Sequence, residues 1–513
     1  MRSSSFTYRS LGVAFAAAIS ALLMAPASAS AQNERRPTVS AGKQKSKTPL
    51  VKNFGARLTS RLENISIVTA DGDGNEWEPN LAFNSQLRVS ASYDSDRQFS
   101  WARVRLNYEH DFLSGVVSGG ESGLVGVHVP KTDGYDEHAL RKLSATISFD
   151  KYLTVAGGFM TSHWGLGLLA NDGAHGWTAG SGRFSDPRGG DRVLRALLAT
   201  GPHTEQSLRI FAAIDMVRDD DVLLEGDEAV QVVGGLTLGT GKPWTAGLYG
   251  VYRMQEASDG QETNVAVMDV FAAYRHNLTQ GHSLKFEFEG AVIFGETDLA
   301  PSNDFPKHDV LQLGAALRVT YDAPLGGVVL DVLYASGDQN FDDKSQNGFK
   351  ADVNFDTGML FYRQIMAAQT ARSPINASDP NLVGVPNEDL DRFPTRGNPT
   401  NTIAIYPRGY VRPMDGLEFY GGILIALAEV AYADPLNTRL AGGDPRNPLN
   451  GDPGVLYGTE FDLGGSFQTL LWGTQLTFAA EGAVFLPGDA MVGPNDLGSD
   501  PIYGGRVSLT WEL

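Results

Sequence analysis

Apolar and polar residues alternate along the last stretch of the chain, residues 503–513. Tyr503, Val507, Leu509, Trp511 and Leu513 fall on one face of an extended chain, and Gly504, Arg506, Ser508, Thr510 and Glu512 fall on the other. Because successive side chains of a strand point to opposite faces, this period of two predicts a β-strand with one apolar face. A strand that faces lipid and an edge strand of a soluble protein both have this pattern, so the rest of the chain must distinguish between them.

The same alternation recurs from residue 61 onward, in segments of about nine to fourteen residues, which suits the 9–11 residues of a tilted transmembrane strand. In one segment Leu106 and Tyr108 oppose Arg103 and Arg105. Eighteen segments are predicted, near 62–70, 81–94, 99–112, 140–149, 152–161, 192–200, 206–217, 229–239, 244–255, 263–276, 283–295, 310–322, 328–336, 400–406, 416–432, 458–471, 474–486 and 502–512. The pattern is weakest at 400–406, and sixteen strands are the alternative.

The connections between these segments alternate between short and long. Asp150-Lys151 and Trp472-Gly473 are among the short ones, whereas 162–191, 337–400 and 433–456 are among the long ones. Bacterial outer-membrane barrels have short periplasmic turns and longer extracellular loops, and a soluble two-sheet protein has no reason to keep this rhythm. We therefore predict an all-β fold, a transmembrane antiparallel β-barrel that occupies 61–513, with both termini on the periplasmic side.

Charged residues indicate which face of each strand points toward the lumen and which toward lipid. An arginine on the lipid face near mid-membrane costs roughly 2–4 kcal/mol, so charged side chains are expected to face the lumen. The predicted basic lining is Arg88, Arg103, Arg105, Arg195, Arg209, Arg253 and Arg318, and the predicted acidic lining is Glu287, Glu289, Asp331, Glu460, Asp462 and Glu481. The bases concentrate on earlier strands than the acids, which predicts one basic wall and an opposite acidic wall. Such walls either create an electric field across an open pore, or their charged side chains form ion pairs that close the lumen.

The N-terminus has the pattern of an export signal. Arg2 and Arg9 precede an apolar run, and Ala-x-Ala sites end at Ala29 and Ala31, so we predict a secretory signal peptide over 1–31. Residues 32–60 are rich in Lys, Arg, Ser and Pro and predict a flexible basic periplasmic leader. The expected location is the outer membrane of a Gram-negative bacterium.

Composition excludes several classes of function. The chain has 513 residues, a net charge of −19 and no cysteine. The missing thiols exclude disulfides, thiol catalysis and cysteine-bound metals, and the acidic balance argues against nucleic acid as a partner. Past the N-terminus there is no apolar run long enough for a membrane-spanning helix.

Two loop patterns raise the question of metal binding or catalysis. Asp338, Asn340 and Asp342 have the alternate spacing of calcium loops, as do Asp71, Asp73 and Asn75, yet neither set continues into a full EF-hand. Calcium is thus a weak expectation, and no other cofactor is predicted. His163 and His175 lie in a glycine-rich loop, where a metal site or a hydrolase is conceivable, but a constriction loop folded into the barrel is the favoured interpretation.

The longest connection, 337–400, contains a segment without strand alternation. Residues 357–372 are rich in Met, Leu, Gln and Ala, which favours a short helix. Inside a barrel loop such a helix is a candidate plug or eyelet, and the alternative is a helix lying on the surface.

Two features resemble known barrels. The C-terminal strand resembles the closing strand of bacterial outer-membrane β-barrels, which the barrel-assembly machinery recognises. The run from Tyr334 to Asp343, followed by Asn354 to Asp356, resembles the alginate-export family. That resemblance implies an eighteen-stranded exporter of an anionic polysaccharide with an arginine-lined lumen, in which Arg88, Arg103, Arg105, Arg209 and Arg318 would share the role of the family's arginines. The acidic residues on later strands depart from a wholly basic channel.

The predicted function is an outer-membrane channel for passive passage or export of polar solutes, with anionic saccharides as one class. Its expected partners are outer-membrane lipid, the assembly machinery, and polar or anionic small solutes or a polysaccharide. We do not expect an enzyme. The alternatives are a closed structural or adhesive barrel and, less favoured, a membrane-embedded hydrolase that would need a loop histidine beside Ser or Asp.

Overall fold

The fold was examined in a computed structural model of the chain. It describes residues 53–77, 81–95, 102–117, 135–174, 184, 189–220, 222–223, 226–258, 260–279, 281–299, 305–338, 343–355, 357–370 and 395–513. The predicted signal peptide and most of the predicted leader, residues 1–52, lie outside these ranges and stay predictions.

Eighteen long strands form the barrel wall. They are β1 (Asn53–Ile65), β2 (Ala82–Asp94), β3 (Arg103–Val117), β4 (Tyr135–Phe149), β5 (Leu153–Thr161), β6 (Arg192–His203), β7 (Leu208–Asp219), β8 (Glu228–Leu238), β9 (Trp244–Glu256), β10 (Glu262–Asn277), β11 (Ser283–Thr297), β12 (His308–Ala323), β13 (Gly326–Ala335), β14 (Thr402–Met414), β15 (Leu417–Ala428), β16 (Leu456–Leu471), β17 (Thr474–Pro487) and β18 (Ile502–Glu512). The predicted count of eighteen is confirmed, and the weakest predicted segment, 400–406, is the start of the longer β14.

Each strand pairs antiparallel with the next one along the chain, and β18 pairs antiparallel with β1. The closing register places Arg57 opposite Glu512 and Ile65 opposite Gly504. The sheet therefore has no free edge between its first and last strands, as a lipid-embedded barrel requires.

The first strand begins earlier than predicted. We expected the leader to run to residue 60, but residues 53–60 belong to β1. All of them pair with β2, and residues 57–60 pair with β18 as well. Their Arg, Ser and Thr content resembles a linker, and pairing with the neighbouring strands makes them part of β1.

The two faces of the wall differ in chemistry. Large apolar side chains point outward and are exposed, as at Leu198 (55%) and Ile214 (60%). Inward positions hold buried charged residues such as Asp215 and Glu460. An apolar belt on the outside and charges on the inside are the arrangement expected of a membrane barrel.

The connections follow the predicted rhythm. At one end of the barrel the turns are short, as at residues 324–325 and 472–473, whereas the opposite end carries long loops, such as 162–191, 336–401 and 429–455. We refer to these as the short-turn end and the long-loop end.

A helix lies inside the barrel rather than on its surface. Residues 361–370 are helical, with a π-helical first part (Phe361–Met366), close to the predicted range of 357–372. Phe361 is fully buried and stacks on Phe485 of β17, with ring centroids 5.0 Å apart. Within the described ranges, no helix is long and apolar enough to cross a membrane.

The outward face can be tested with one substitution and a matched control. Leu198→Arg places a charge at the middle of β6 on the lipid face, so the free energy of unfolding from lipid vesicles should fall by about 2–4 kcal/mol. Leu325→Arg, in the turn between β12 and β13 where Leu325 is 76% exposed, should change it by less than about 0.5 kcal/mol. Denaturant titration of protein refolded into vesicles measures both values, and equal losses would contradict the assignment of faces.

Candidate functional site: the lumen and its inward loops

The loop after β5 folds into the barrel and is held by acidic residues of the wall. The Trp164 indole nitrogen donates a hydrogen bond to Asp269 at 2.9 Å. The backbone N–H groups of Leu166 and Leu168 donate to the Glu289 carboxylate of β11. Leu168 is completely buried. The predicted folded-in loop therefore exists over the described residues 162–174.

The loop after β13 is held in the same manner by a carboxylate of β16. The Glu460 carboxylate of β16 accepts backbone hydrogen bonds from Met359, Leu360 and Phe361, the last two at 2.9 and 2.8 Å. Hydrogen bonds to a carboxylate are strong, and three of them satisfy the otherwise unpaired donors at the start of the helix.

The two inward loops touch each other. The Asp352 N–H donates to the Leu168 carbonyl at 2.8 Å, and this hydrogen bond joins the two loops inside the barrel. Tyr362 of the helix hydrogen-bonds Thr402 of β14 at 2.7 Å, and burial raises the pKa of the Tyr362 phenol, so it stays neutral. The loops thus form one constriction anchored to several strands.

Most predicted lumen charges form ion pairs, mainly between neighbouring strands. Arg88 pairs with Asp111 at 2.7 Å, Arg195 with Asp215 at 2.7 Å, Arg253 with Asp220 at 2.5 Å, Arg318 with Asp331 at 2.6 Å, and Arg506 with Glu481. A buried charge is costly unless it is paired and hydrogen-bonded, which explains why each base has an acid beside it.

This pairing corrects the expectation of a basic wall facing an acidic wall. The sequence argument omitted Asp111 and Asp220, which lie on or next to the arginine-bearing strands and balance Arg88 and Arg253 locally. The charges therefore alternate around the barrel wall.

The remaining predicted lining residues lie in two settings. Asp462 accepts a hydrogen bond from the Tyr406 hydroxyl at 2.5 Å, deep in the lumen. Nearer the short-turn end, Arg103 and Arg105 share Asp94, Glu287 pairs with Lys285 at 2.8 Å, and Arg209 is exposed. The Arg103 and Arg105 side chains are each 52% exposed, so they meet solvent despite their partner.

Arg141 and Arg408 are among the buried arginines that sequence reasoning missed. Arg141 is 1% exposed, bonds Glu109 at 2.7 Å, and also donates to backbone carbonyls of Asp172 and Gly189 in the loop after β5. A register shift between Glu109 and His110 displaces its strand by one residue, which a strict period of two cannot reveal. Arg408, a second partner of Asp331, lies beyond the predicted end of segment 400–406.

A cavity of about 410 Å³ lies beside the constriction. Strand residues such as Gln231 and Tyr249 line it together with loop residues. Its charged lining consists of Asp191, Asp219, Asp220, Asp338, Asp352, Asp434, Arg253, Lys350 and Arg396. Acids outnumber bases there by six to three, whereas exposed bases lie nearer the short-turn end.

The residues proposed for calcium or catalysis are only partly described. Asp338 accepts the Asn347 N–H at 2.9 Å, and Asn340 and Asp342 lie outside the described residues. The Asp71 carboxylate accepts the N–H groups of Asp73 and Asn75 and so closes a local turn. The described part of the chain contains no group of three potential metal ligands. Calcium binding stays a prediction.

Of the two histidines considered for a hydrolase, the structure describes one. The His163 ring nitrogen lies 3.8 Å from the Asp172 carboxylate, and His175 lies outside the described residues.

Comparison with known proteins shows a likeness in fold. No protein-family model and no curated protein matches the chain significantly. Among solved structures, Acinetobacter baumannii OccAB1 is 11% identical with a TM-score of 0.50, over 91% of this chain and 99% of that one. Pseudomonas aeruginosa OpdK with vanillate is 11% identical with a TM-score of 0.50, over 91% of this chain and 100% of that one. A double variant of OccD1 (OprD) is 13% identical with a TM-score of 0.50, over 90% of this chain and 96% of that one.

These similarities concern the fold, which in this chain is a closed, eighteen-stranded antiparallel β-barrel. They give no support to the resemblance to the alginate-export family, which rested on about thirty residues around Tyr334 to Asp356.

The role of Glu460 can be tested by a near-isosteric substitution. Glu460→Gln replaces one acceptor oxygen by an amide that cannot accept, so at least one backbone donor at Met359–Phe361 loses its partner, a loss of about 1.5–3 kcal/mol. Hydrogen exchange followed by mass spectrometry should then show these amides exchanging about tenfold faster or more.

The matched control is Glu512→Gln, which alters a carboxylate of β18 that pairs with Arg57 near the short-turn end. Its effect on the amides at 359–361 should be negligible. Unchanged exchange in Glu460→Gln would show that packing alone holds the loop.

Proposed function

We propose that this protein is an outer-membrane channel of a Gram-negative bacterium for small polar solutes. The observation that carries the proposal is a closed eighteen-stranded barrel with a charged inner face, narrowed by two inward loops beside a cavity of about 410 Å³. Barrels of this strand number are wide enough for an aqueous path, and inward loops that constrict it set which solutes pass.

The lumen favours small solutes over a polymer. A cavity of about 410 Å³ is in the range that holds a drug-sized molecule. One arginine of its lining, Arg253, is paired with Asp220, and aspartates predominate among its charged residues, which is unfavourable for a long polyanion. Export of an anionic polysaccharide, the finer expectation from sequence, is therefore the weaker form of the proposal. The aromatic carboxylate vanillate in the OpdK structure is a suitable size of solute to test.

A closed structural barrel is the second candidate, because the same ion pairs and loops that define the constriction also fill the lumen. The inward helix is fully buried at Phe361, Ile365 and Met366. In a closed structural barrel, this helix would be a permanent plug. Conductance measurements separate the two.

The channel proposal predicts current through refolded protein in planar lipid bilayers. The wild type should give steady single-channel steps, and a variant with residues 337–400 replaced by a short glycine-serine linker should give steps at least about twofold larger, because the helical part of the constriction is removed. Silence of both proteins would overturn the channel proposal. Silence of the wild type alone would favour the plugged barrel.

The exposed bases near the short-turn end predict a measurable contribution to ion selectivity. The double change Arg103→Ser with Arg105→Ser removes two half-exposed positive charges and should lower the anion-to-cation permeability ratio by about twofold. Reversal potentials in a salt gradient measure this ratio.

The control for selectivity is Arg446→Ser, which removes one positive charge from the loop between β15 and β16, where Arg446 pairs with Asp444 and Asp452. That variant should keep the wild-type reversal potential. An unchanged potential in the double variant would mean that ions do not pass near Arg103 and Arg105.

A further inference from the structure

Arg141 of β4 connects the barrel wall to the backbone of an inward loop. Its side chain is 1% exposed. Its Nη1 donates a hydrogen bond to the Gly189 carbonyl at 2.6 Å, and its Nη2 donates to the Asp172 carbonyl. These two acceptors lie on opposite flanks of the loop after β5, so a single side chain holds both flanks.

The two flanks also contact each other, and we call residues 171–173 and 189–191 the neck of the loop. The Asp191 N–H donates to the Asn171 carbonyl at 2.8 Å, and the Asn171 N–H donates to the Asp191 carboxylate at 3.2 Å. Gly190 has a φ of +105°, and a Cβ at this position would overlap the Asp172 carbonyl. The neck is therefore a close crossing of two backbone segments beside the Arg141 side chain.

A β-bulge brings Arg141 to the neck. Leu140 and Lys142 lie opposite consecutive residues of β3, so Arg141 between them is the additional residue of β4. Arg141 and Lys142 consequently both reach Glu109, at 2.7 and 3.2 Å, whereas strict alternation would turn one of them toward lipid. Bulges re-aim side chains and are frequent beside functional sites, which favours a specific role for Arg141.

The guanidinium group matches this set of partners. Its Nε donates to Glu109 while Nη1 and Nη2 bond the two flanks. Glu109, together with Asp111 at 3.8 Å, supplies the negative charge that a buried cation requires. A guanidinium presents its donors in a rigid planar fork, whereas a lysine ammonium is one compact charge on a flexible stem. Lysine would therefore keep the charge without holding the wall and both flanks together.

The loop that begins at this neck extends to a distant part of the wall. Phe184 of the loop is buried and packs edge-to-face on Tyr420 of β15, with ring centroids 5.1 Å apart, and β15 is far from β4 in the order of strands. Ser162 and Asp191, at the two ends of the loop, line the cavity of about 410 Å³ beside the constriction. The position of the neck thus affects both the constriction and this cavity.

We propose that Arg141 is the positioning residue that sets the width of the channel. It ties both flanks of the neck to β4, so the loop keeps its place in the lumen and limits the size of the solutes that pass. Arg141 acts through the loop backbone, because its own side chain is almost completely buried. The inference rests on the channel function proposed above and names the residue by which the wall controls the constriction.

Exclusion of polyethylene glycols in planar bilayers tests this role. The smallest polymer that no longer lowers the single-channel conductance defines the size limit of the pore. Arg141→Met removes the hydrogen bonds to both flanks, so the conductance should rise about twofold and the size limit should increase. Arg141→Lys should also increase the size limit, although it keeps the positive charge. A wild-type size limit in Arg141→Lys would overturn the proposal, because charge alone would then suffice.

The matched control is Arg57→Met. It also removes an inward arginine, but the ion pair of Arg57 with Glu512 joins β1 to β18 rather than to a loop. Its size limit should equal that of the wild type. Unchanged size limits in both Arg141 variants would overturn the role of Arg141 alone. A wild type that conducts no ions would instead contradict the channel function, and this role with it.

Hydrogen exchange followed by mass spectrometry examines the neck directly and keeps the test decisive if Arg141→Met fails to fold. The amides of Asn171, Gly173 and Asp191 are hydrogen-bonded within the neck. In Arg141→Lys they should exchange about tenfold faster than in the wild type, whereas the amides at 359–361 of the other inward loop should keep the wild-type rate. Wild-type exchange throughout the neck would overturn the proposal.

Discussion

The pairing of the first strand with the last is the constraint on which the rest of the structure depends. In lipid, an unpaired backbone N–H or carbonyl has no water to bond, so a membrane sheet must close. Here β1 pairs with β2 on one side and with β18 on the other, from Arg57 opposite Glu512 to Ile65 opposite Gly504. Once the wall is closed, alternate side chains have only two destinations, the lipid or the lumen, and the polar set has to be accommodated inside.

Inside the barrel, the charges are neutralised by local contacts. Arginines pair with acids on adjoining strands, as Arg195 does with Asp215 across β6 and β7. Glu289 and Glu460, for which the described residues include no arginine partner, instead accept backbone N–H groups from the inward loops. The same electrostatic requirement therefore stabilises the wall and positions the constriction. Removing such a carboxylate leaves the backbone donors of a buried loop without a partner.

The inward helix divides the long-loop end of the lumen into two environments. The cavity beside the constriction is lined by charged residues of both signs, including Arg253 and Asp220. The second cavity, of about 500 Å³, lies between the helix, the end of β17 and the start of β18, and its lining is largely apolar and uncharged polar, with Glu76 and Asp500 as its charged residues. Both arise from one loop of the chain because residues 357–370 turn inward and present different faces to the two sides. This end of the barrel thus encloses two cavities with different linings.

The sequence by itself determined the wall of this protein. Alternation with a period of two, segment lengths and the short and long connections predicted eighteen strands and their inner and outer faces, because these features depend on local geometry and on the difference between lipid and water. The start of β1 at Asn53, the bulge that turns Arg141 inward, and the pairing of Asp331 with both Arg318 and Arg408 were decided by tertiary structure. So were the contacts of Glu289 and Glu460 with loop backbone, since these join residues about 120 and 100 positions apart, and no local pattern encodes which donor a buried carboxylate will meet.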